Sequence, residues 1–263
     1  MKIIDMHCHI FPEKVSAKAV DSIGNYYYLP MYGKGTIEDL QLQGEKAGIR
    51  KFLVHSTATK LDQVSSINDF IAKVQAKGSS CVGFGTLFPG LGDVEDEVKR
   101  ILAMGLRGVK LHPEFQGFNI DDESMIPIYR ALEGRLPILM HMGDENSDAS
   151  NPYRLAKIID KFPDLTVIAA HMGGYRRWEE SMKYLVGRKV YFDTSSTLAI
   201  LDSNKVVEII RKHGVHKVLF GSDYPMWSPA KEIERFLNLD LTPKEQNMIL
   251  WENGIALLNR TKK

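Results

Sequence analysis

The sequence has little cysteine, no long hydrophobic run and no excess of either charge, and each shortage closes off a class of protein. Two cysteines in 263 residues, Cys8 and Cys81, supply neither a disulfide framework nor a four-thiolate zinc site. Free thiols suit a reducing compartment, so a cytoplasmic location is expected. No stretch approaches the roughly 18 apolar residues that a membrane-spanning helix needs, and no apolar run follows the opening Met1-Lys2. Neither a membrane partner nor a signal peptide is expected. With 34 basic against 33 acidic residues the formal net charge is +1, which gives no field to draw in nucleic acid or an anionic surface. A Pro/Ser-rich linker, a low-complexity tract and an internal repeat are also missing. One domain over residues 1–263 is therefore expected, close to the roughly 250 residues of an α/β barrel. A small molecule is the expected partner, and association into a homo-oligomer is left open.

What the sequence does have is alternation. Short apolar runs at Lys2–Met6, Lys51–His55, Val82–Leu87, Gly108–His112, Ile138–His141, Thr166–His171, Lys189–Asp193 and Lys217–Gly221 read as strands. Several carry few charges, as strands buried on both faces do. Helical patterns lie between them. Thr36 suits the N-cap of a helix over Ile37–Ala47 that stops at Gly48; Asp62–Lys77 and Asp93–Met104 likewise end at glycines. Thr242-Pro243-Lys244-Glu245 has the cap, proline and glutamate that open a helix, here expected to run to about Leu258. Eight strands with intervening helices predict a parallel (β/α)8 barrel of the TIM type. A doubly wound open sheet is the alternative, but His7-Cys8-His9 stands where its Gly-rich phosphate loop belongs. Gly24–Gly35 is read as a loop, either over the barrel mouth or on the surface.

Six of the eight histidines fall at or just beyond the ends of these strands: His7, His9, His55, His112, His141 and His171. In a parallel barrel those ends share one face, where active sites form. His213 and His216 lie before the last strand, at the opposite face. Residues two apart on a strand point the same way, so His7 and His9 can reach one ion while Cys8 turns outward. His141 and His171 are each followed by Met-Gly, and Asp223 follows the last strand in Gly221-Ser222-Asp223-Tyr224-Pro225. A helix N-cap or turn is the commoner role for an aspartate in such a loop; as a ligand Asp223 adds one hard oxygen to an imidazole-rich set. Such a mixture suits Zn2+, and also Mn2+, Fe2+ or Co2+. Candidates for holding substrate are His112, Arg176 and Trp227, with His55 and Glu114 behind them. Arg176 reads more readily as an exposed first helical turn, and Trp227 equally as loop packing. Asp193, Thr194 and Ser195 are placed to hydrogen-bond ligand histidines, or for Asp193 to serve the barrel core.

The motifs His7-Cys8-His9, Val109-Lys110-Leu111-His112-Pro113, His141-Met142-Gly143, His171-Met172-Gly173-Gly174 and Gly221-Ser222-Asp223-Tyr224-Pro225 resemble the amidohydrolase superfamily. Within it they look most like the branch that includes aminocarboxymuconate-semialdehyde decarboxylase and related hydrolases. The resemblance runs from the first strand to Asn253-Gly254-Ile255-Ala256. It implies a distorted (β/α)8 barrel with one divalent ion, usually zinc, on His7, His9, His141 and Asp223. It also implies a catalytic role for His171 beside that ion, and an unmodified Lys110. The expected chemistry is hydrolysis: a metal-activated water attacks a small, carboxylated amide, ester or lactone, with His171 and Asp223 handling the proton. The alternative is a non-oxidative decarboxylase, a lyase, with the same site.

Overall fold

The computed structural model describes residues 1–260; the last three residues of the expected domain lie outside that range. Eight strands form one sheet in sequence order, each parallel to the next. They are β1 (Ile4–His9), β2 (Lys51–His55), β3 (Cys81–Thr86), β4 (Val109–Leu111), β5 (Ile138–Met140), β6 (Val167–Ala169), β7 (Tyr191–Asp193) and β8 (Val218–Leu219). The last strand meets the first: Met6 N donates to Phe220 O at 2.8 Å, His9 N to Tyr224 O at 2.7 Å and Asp223 N to His7 O at 3.0 Å. The sheet thus curls into a nearly closed (β/α)8 barrel, as the alternation predicts.

Two apolar layers hold it together. Inside the barrel, Leu53, Phe84, Leu139, Ile168 and Leu219 pack with Ile4 and Met6, and Leu257 of the C-terminal helix belongs to the same cluster. Outside, the intervening residues of each strand pack under the helices. One irregularity matters for the site. Between Asp5 and Cys8 the pairing of β1 with β2 shifts register by one residue. A bulge of this kind re-aims the side chains that follow it. Ile4 and Met6 pack in the interior cluster, while Cys8 sits in the outer layer. His7 and His9 therefore follow Met6 into the barrel instead of facing out with Asp5.

The expected helices form. Thr36 caps Ile37–Lys46 by accepting from Asp39 N, Asp93 caps Val94–Ala103, and Val64–Ala76 follows a tight turn at Leu61–Gln63. Thr242 and Glu245 form a capping box ahead of Pro243–Asn247, which continues through Met248–Glu252 into Asn253–Arg260. Gly24–Gly35 departs from the sequence reading, because the helix Glu13–Tyr27 runs through its first four residues and ends only at Tyr28, φ 54°. A stripe of buried Ser16 and Val20 with half-buried Ile23 and Tyr27, spaced at three and four residues, outweighs the low helix propensity of Gly24. This helix lies against the barrel mouth, and its last turn enters the cleft there.

Candidate metal centre

The donors of His7, His9 and Asp223 converge at the closing seam of the barrel. His7 Nε2 and His9 Nε2 lie 3.2 Å apart, and each is 3.4 Å from Asp223 Oδ1. Ligands bound tetrahedrally at about 2.1 Å stand about 3.4 Å from one another, so these three atoms have the spacing of one coordination sphere. Their lone pairs are fixed from behind. His7 Nδ1 faces Asp193 Oδ2 at 2.9 Å, an acceptor, so it carries the proton and leaves Nε2 free. Burial, with Lys110 adding to it, holds the His7 imidazole at about 4, neutral at pH 7. Burial opposes ionisation of Asp193, but contact with His7 outweighs it and holds the carboxylate at about 2. Asp223 Oδ2 accepts from Ser196 Oγ at 2.5 Å.

His141 and His171 extend this group. His141 Nε2 donates to Gly143 O at 2.9 Å, and His171 Nδ1 donates to Ser195 O at 3.0 Å. Each proton is thereby assigned away from the other ring, yet His171 Nε2 and His141 Nδ1 face each other at 3.0 Å. Two lone pairs at that distance repel unless a cation, a proton or a metal ion, lies between or beside them. His55 packs edge-on to His7 and His9, with ring centroids 5.0 and 4.4 Å away, and neither of its buried nitrogens has a hydrogen-bond partner among the described residues. Lys110 Nζ is 3.5 Å from His7 Nε2, and burial lowers it to about 8. The backbone is strained at the same place. His171 (φ 59°) and Asp223 (φ 60°) are non-glycine residues in the left-handed region, at a cost of order 1 kcal/mol or more each.

Across the mouth stands a second group. The rings of His112 and His141 stack with centroids 3.9 Å apart. Tyr27 Oη is 3.2 Å from His112 Nε2 and 3.5 Å from His141 Nε2. Behind them the buried Glu114 accepts from Ser150 N and Ser150 Oγ on Oε1. The cleft between the two groups is walled by Tyr27, Phe115, Tyr175 and Met226, with His9, His112, His141, His171 and Asp223 on its floor.

Of the residues singled out from sequence, His9, His112, His141, His171 and Asp223 therefore share one cleft, and His7 lies beneath it. Arg176 and Trp227 are not in its wall. Arg176, about a third exposed, turns to Tyr175 Oη and to Glu145 at 3.7 Å. Trp227 Nε1 donates to Ser196 Oγ at 2.8 Å, supporting the serine that holds Asp223. Asp193 and Ser195 brace the histidines. His213, at the other end of the barrel, stacks on Phe192 and bonds Val190 O. Sequence reasoning missed Tyr27 and Ser196. The tyrosine run at 26–28 was a signal, but only the helix shows which tyrosine faces in.

Over residues 4–260 the chain matches the amidohydrolase family. It belongs to that family. Amidohydrolases of this kind are metal-dependent enzymes, and three neutral imidazoles with a carboxylate are a donor set that fits a divalent ion. This amidohydrolase is 25% identical over 247 residues to 2-amino-3-carboxymuconate-6-semialdehyde decarboxylase of Dictyostelium discoideum, covering 75% of this chain and 67% of that one. An uncharacterized TIM-barrel protein from Bordetella bronchiseptica shares its fold, with TM-score 0.80, 20% identity and 100% of both chains covered. So does dihydroxybenzoic acid decarboxylase from Polaromonas, crystallised with manganese and 2-nitroresorcinol, at TM-score 0.76 and 17% identity over 100% of this chain and 98% of that one.

Proposed function

We propose that this amidohydrolase is a non-oxidative decarboxylase of a small, flat, unsaturated carboxylate, dependent on one divalent ion. The observation that carries the reading is the triangle of His7, His9 and Asp223 at the floor of an aromatic-walled cleft. His7, His9, His141 and Asp223 are the residues assigned to the ion. Zinc suits the set, and manganese, which the Polaromonas enzyme binds, is the second candidate. When bound, the ion supplies a Lewis acid that polarises a substrate oxygen.

The chain's own residues supply the rest. Tyr27, Phe115 and Tyr175 offer ring faces to a planar substrate and keep bulk water from it. Breaking the carbon–carboxylate bond leaves the electron pair on carbon and releases CO2, and one proton must then reach that carbon. His171 and Asp223 are the groups assigned to this transfer, with His171 Nδ1 and Asp223 Oδ2 3.9 Å apart. The strained backbone at both positions, kept despite its cost, supports a working role for them.

Hydrolysis of an acyl bond is the second reading. The same pair favours it, since an imidazole beside an aspartate also suits proton removal from water. One measurement separates the two. Metal-loaded protein is incubated in 18O-water with a panel of aromatic and muconate-type carboxylates and with small lactones and amides. Evolved CO2 with no label in the remaining product supports decarboxylation; label incorporated without CO2 overturns it in favour of hydrolysis.

A further inference from the structure

The polarity of hydrogen bonds can be followed through the second group at the cleft, from its buried end to its open one. It starts at Glu114, whose side chain is 2% exposed. Oε1 accepts from Ser150 N at 3.1 Å and from Ser150 Oγ at 2.5 Å. Oε2 has no hydrogen-bond partner among the described residues, and neither does the buried His112 Nδ1 that faces it at 3.5 Å. A carboxylate oxygen only accepts, so the proton of neutral His112 belongs on Nδ1. The His112 ring is buried, stacked on Phe115 and on His141. Its Nε2 is then an acceptor. The Tyr27 hydroxyl, 3.2 Å away, donates to it. The other nitrogen near that hydroxyl, His141 Nε2, spends its proton on Gly143 O at 2.9 Å. Tyr27 Oη is left with its lone pairs toward the cleft and, among the described residues, no donor to fill them.

We propose that Tyr27 is a specificity-determining residue that accepts a hydrogen bond from the substrate, so that the substrate carries a hydroxyl or amino group as well as its carboxylate. The proposal rests on the reading of the cleft as the site of a flat carboxylate, and it adds which second substituent that molecule bears. A ligand with an O–H or N–H at this point completes the chain Tyr27–His112–Glu114. A ligand with only an acceptor there sets lone pair against lone pair, or turns the Tyr27 proton away from His112 and strands a buried nitrogen. Either outcome weakens binding by about 10- to 100-fold. Glu114 is a positioning residue in this scheme: it does not touch the ligand, but it sets the direction of the whole chain.

The test is binding, not turnover, and so stands apart from the question of reaction type. Zinc-loaded protein is titrated calorimetrically with hydroxy- and aminobenzoates substituted at each ring position, each paired with its fluoro counterpart, and with benzoate itself. Wild type is expected to bind the hydroxy or amino member at least 10-fold more tightly at one position. Tyr27→Phe should bring that ratio to about 1 while zinc content and benzoate affinity stay within about twofold. Glu114→Gln should reverse it: the amide now donates to His112 Nδ1, the imidazole proton moves to Nε2, and the Tyr27 proton turns to the cleft and favours the acceptor. A ratio unchanged in both variants overturns the proposal, as does fluoro binding equal to hydroxy in wild type, or no binding of any hydroxy or amino member. If the ratios behave as expected but no carboxylate loses CO2, the reaction assignment fails and Tyr27 keeps its role.

Discussion

Gly221 lacks a side chain where His7 needs the room. A Cβ at residue 221 would lie 2.9 Å from His7 Cβ and 3.3 Å from Ser195 Cβ, so Gly221→Ala must push His7 away from its position beside Asp223. Metal affinity of that variant, measured by chelator competition, is expected to fall at least about tenfold. Asp193→Asn keeps the shape but removes the charge behind His7 Nδ1, and affinity should fall about 10- to 100-fold, as for other partners of ligand histidines. A far-ultraviolet spectrum like wild type would show that the barrel is intact; unchanged affinity would dismiss the role given to Asp193. At this scale much was legible beforehand. The spacing of His7 and His9 and the position of Asp223 after the last strand pointed to groups that do come within 3.4 Å. Tyr27 was not legible, because its place depends on how far one helix runs. Nor were the seats of Arg176 and Trp227, since charge and aromaticity do not tell a rim from a wall.

Elements with strong local signals came out where expected, and those decided by tertiary contacts did not. Thr36, Asp93 and Thr242 each cap a helix from its side chain. A cap is a short-range bargain between a side chain and the next few amides, so three residues suffice to reveal it. Thr242→Ala is expected to cost about 1 kcal/mol in chemical denaturation with metal content unchanged, because the capping box stands apart from the cleft. The helix Glu13–Tyr27 follows a different logic. Its last turn holds because Tyr27 packs against Phe115 and Tyr175 across the mouth. The bulge in β1 was equally hidden: alternation within six residues cannot say where one side chain is skipped. Strict alternation would have set His7 and His9 on the side opposite to Ile4 and Met6.

The whole barrel responds to acid through a residue at its far end. His213 is buried, its Nδ1 accepting from Gly187 N at 3.1 Å and its Nε2 bonded to Val190 O at 2.9 Å. Burial, with Lys217 adding to it, lowers its pKa from the usual imidazole value to about 3. Unfolded chains take up this proton below about 6.5 while the folded protein refuses it, so stability is full above that pH and is lost as pH falls toward 3. The slope contributed by this one group is about 1.4 kcal/mol per pH unit at most. His213→Gln should flatten the decline between pH 6 and pH 4 in thermal melts; a parallel decline would refute it. Order of strands and closure of the barrel were readable from eight short runs at regular intervals. The tightness of the seam was not, since it depends on backbone contacts between the two ends of the chain. An ion on His7, His9 and Asp223 would tie those ends together, so chelation is expected to lower the melting temperature and added zinc or manganese to restore it.

That seam also imposes an order in time. During synthesis the imidazoles of β1 leave the ribosome about 200 residues before Asp223, the carboxylate proposed to share their cation. Over that interval the nascent chain carries a two-toothed hook without Asp223 and without the closed barrel around it. A bare imidazole pair ranks metals by intrinsic affinity, which puts copper and nickel ahead of manganese. Fidelity in filling this enzyme thus falls to whatever keeps stray copper scarce while the protein is being made, and the finished cage can choose only among the ions that have not already been caught.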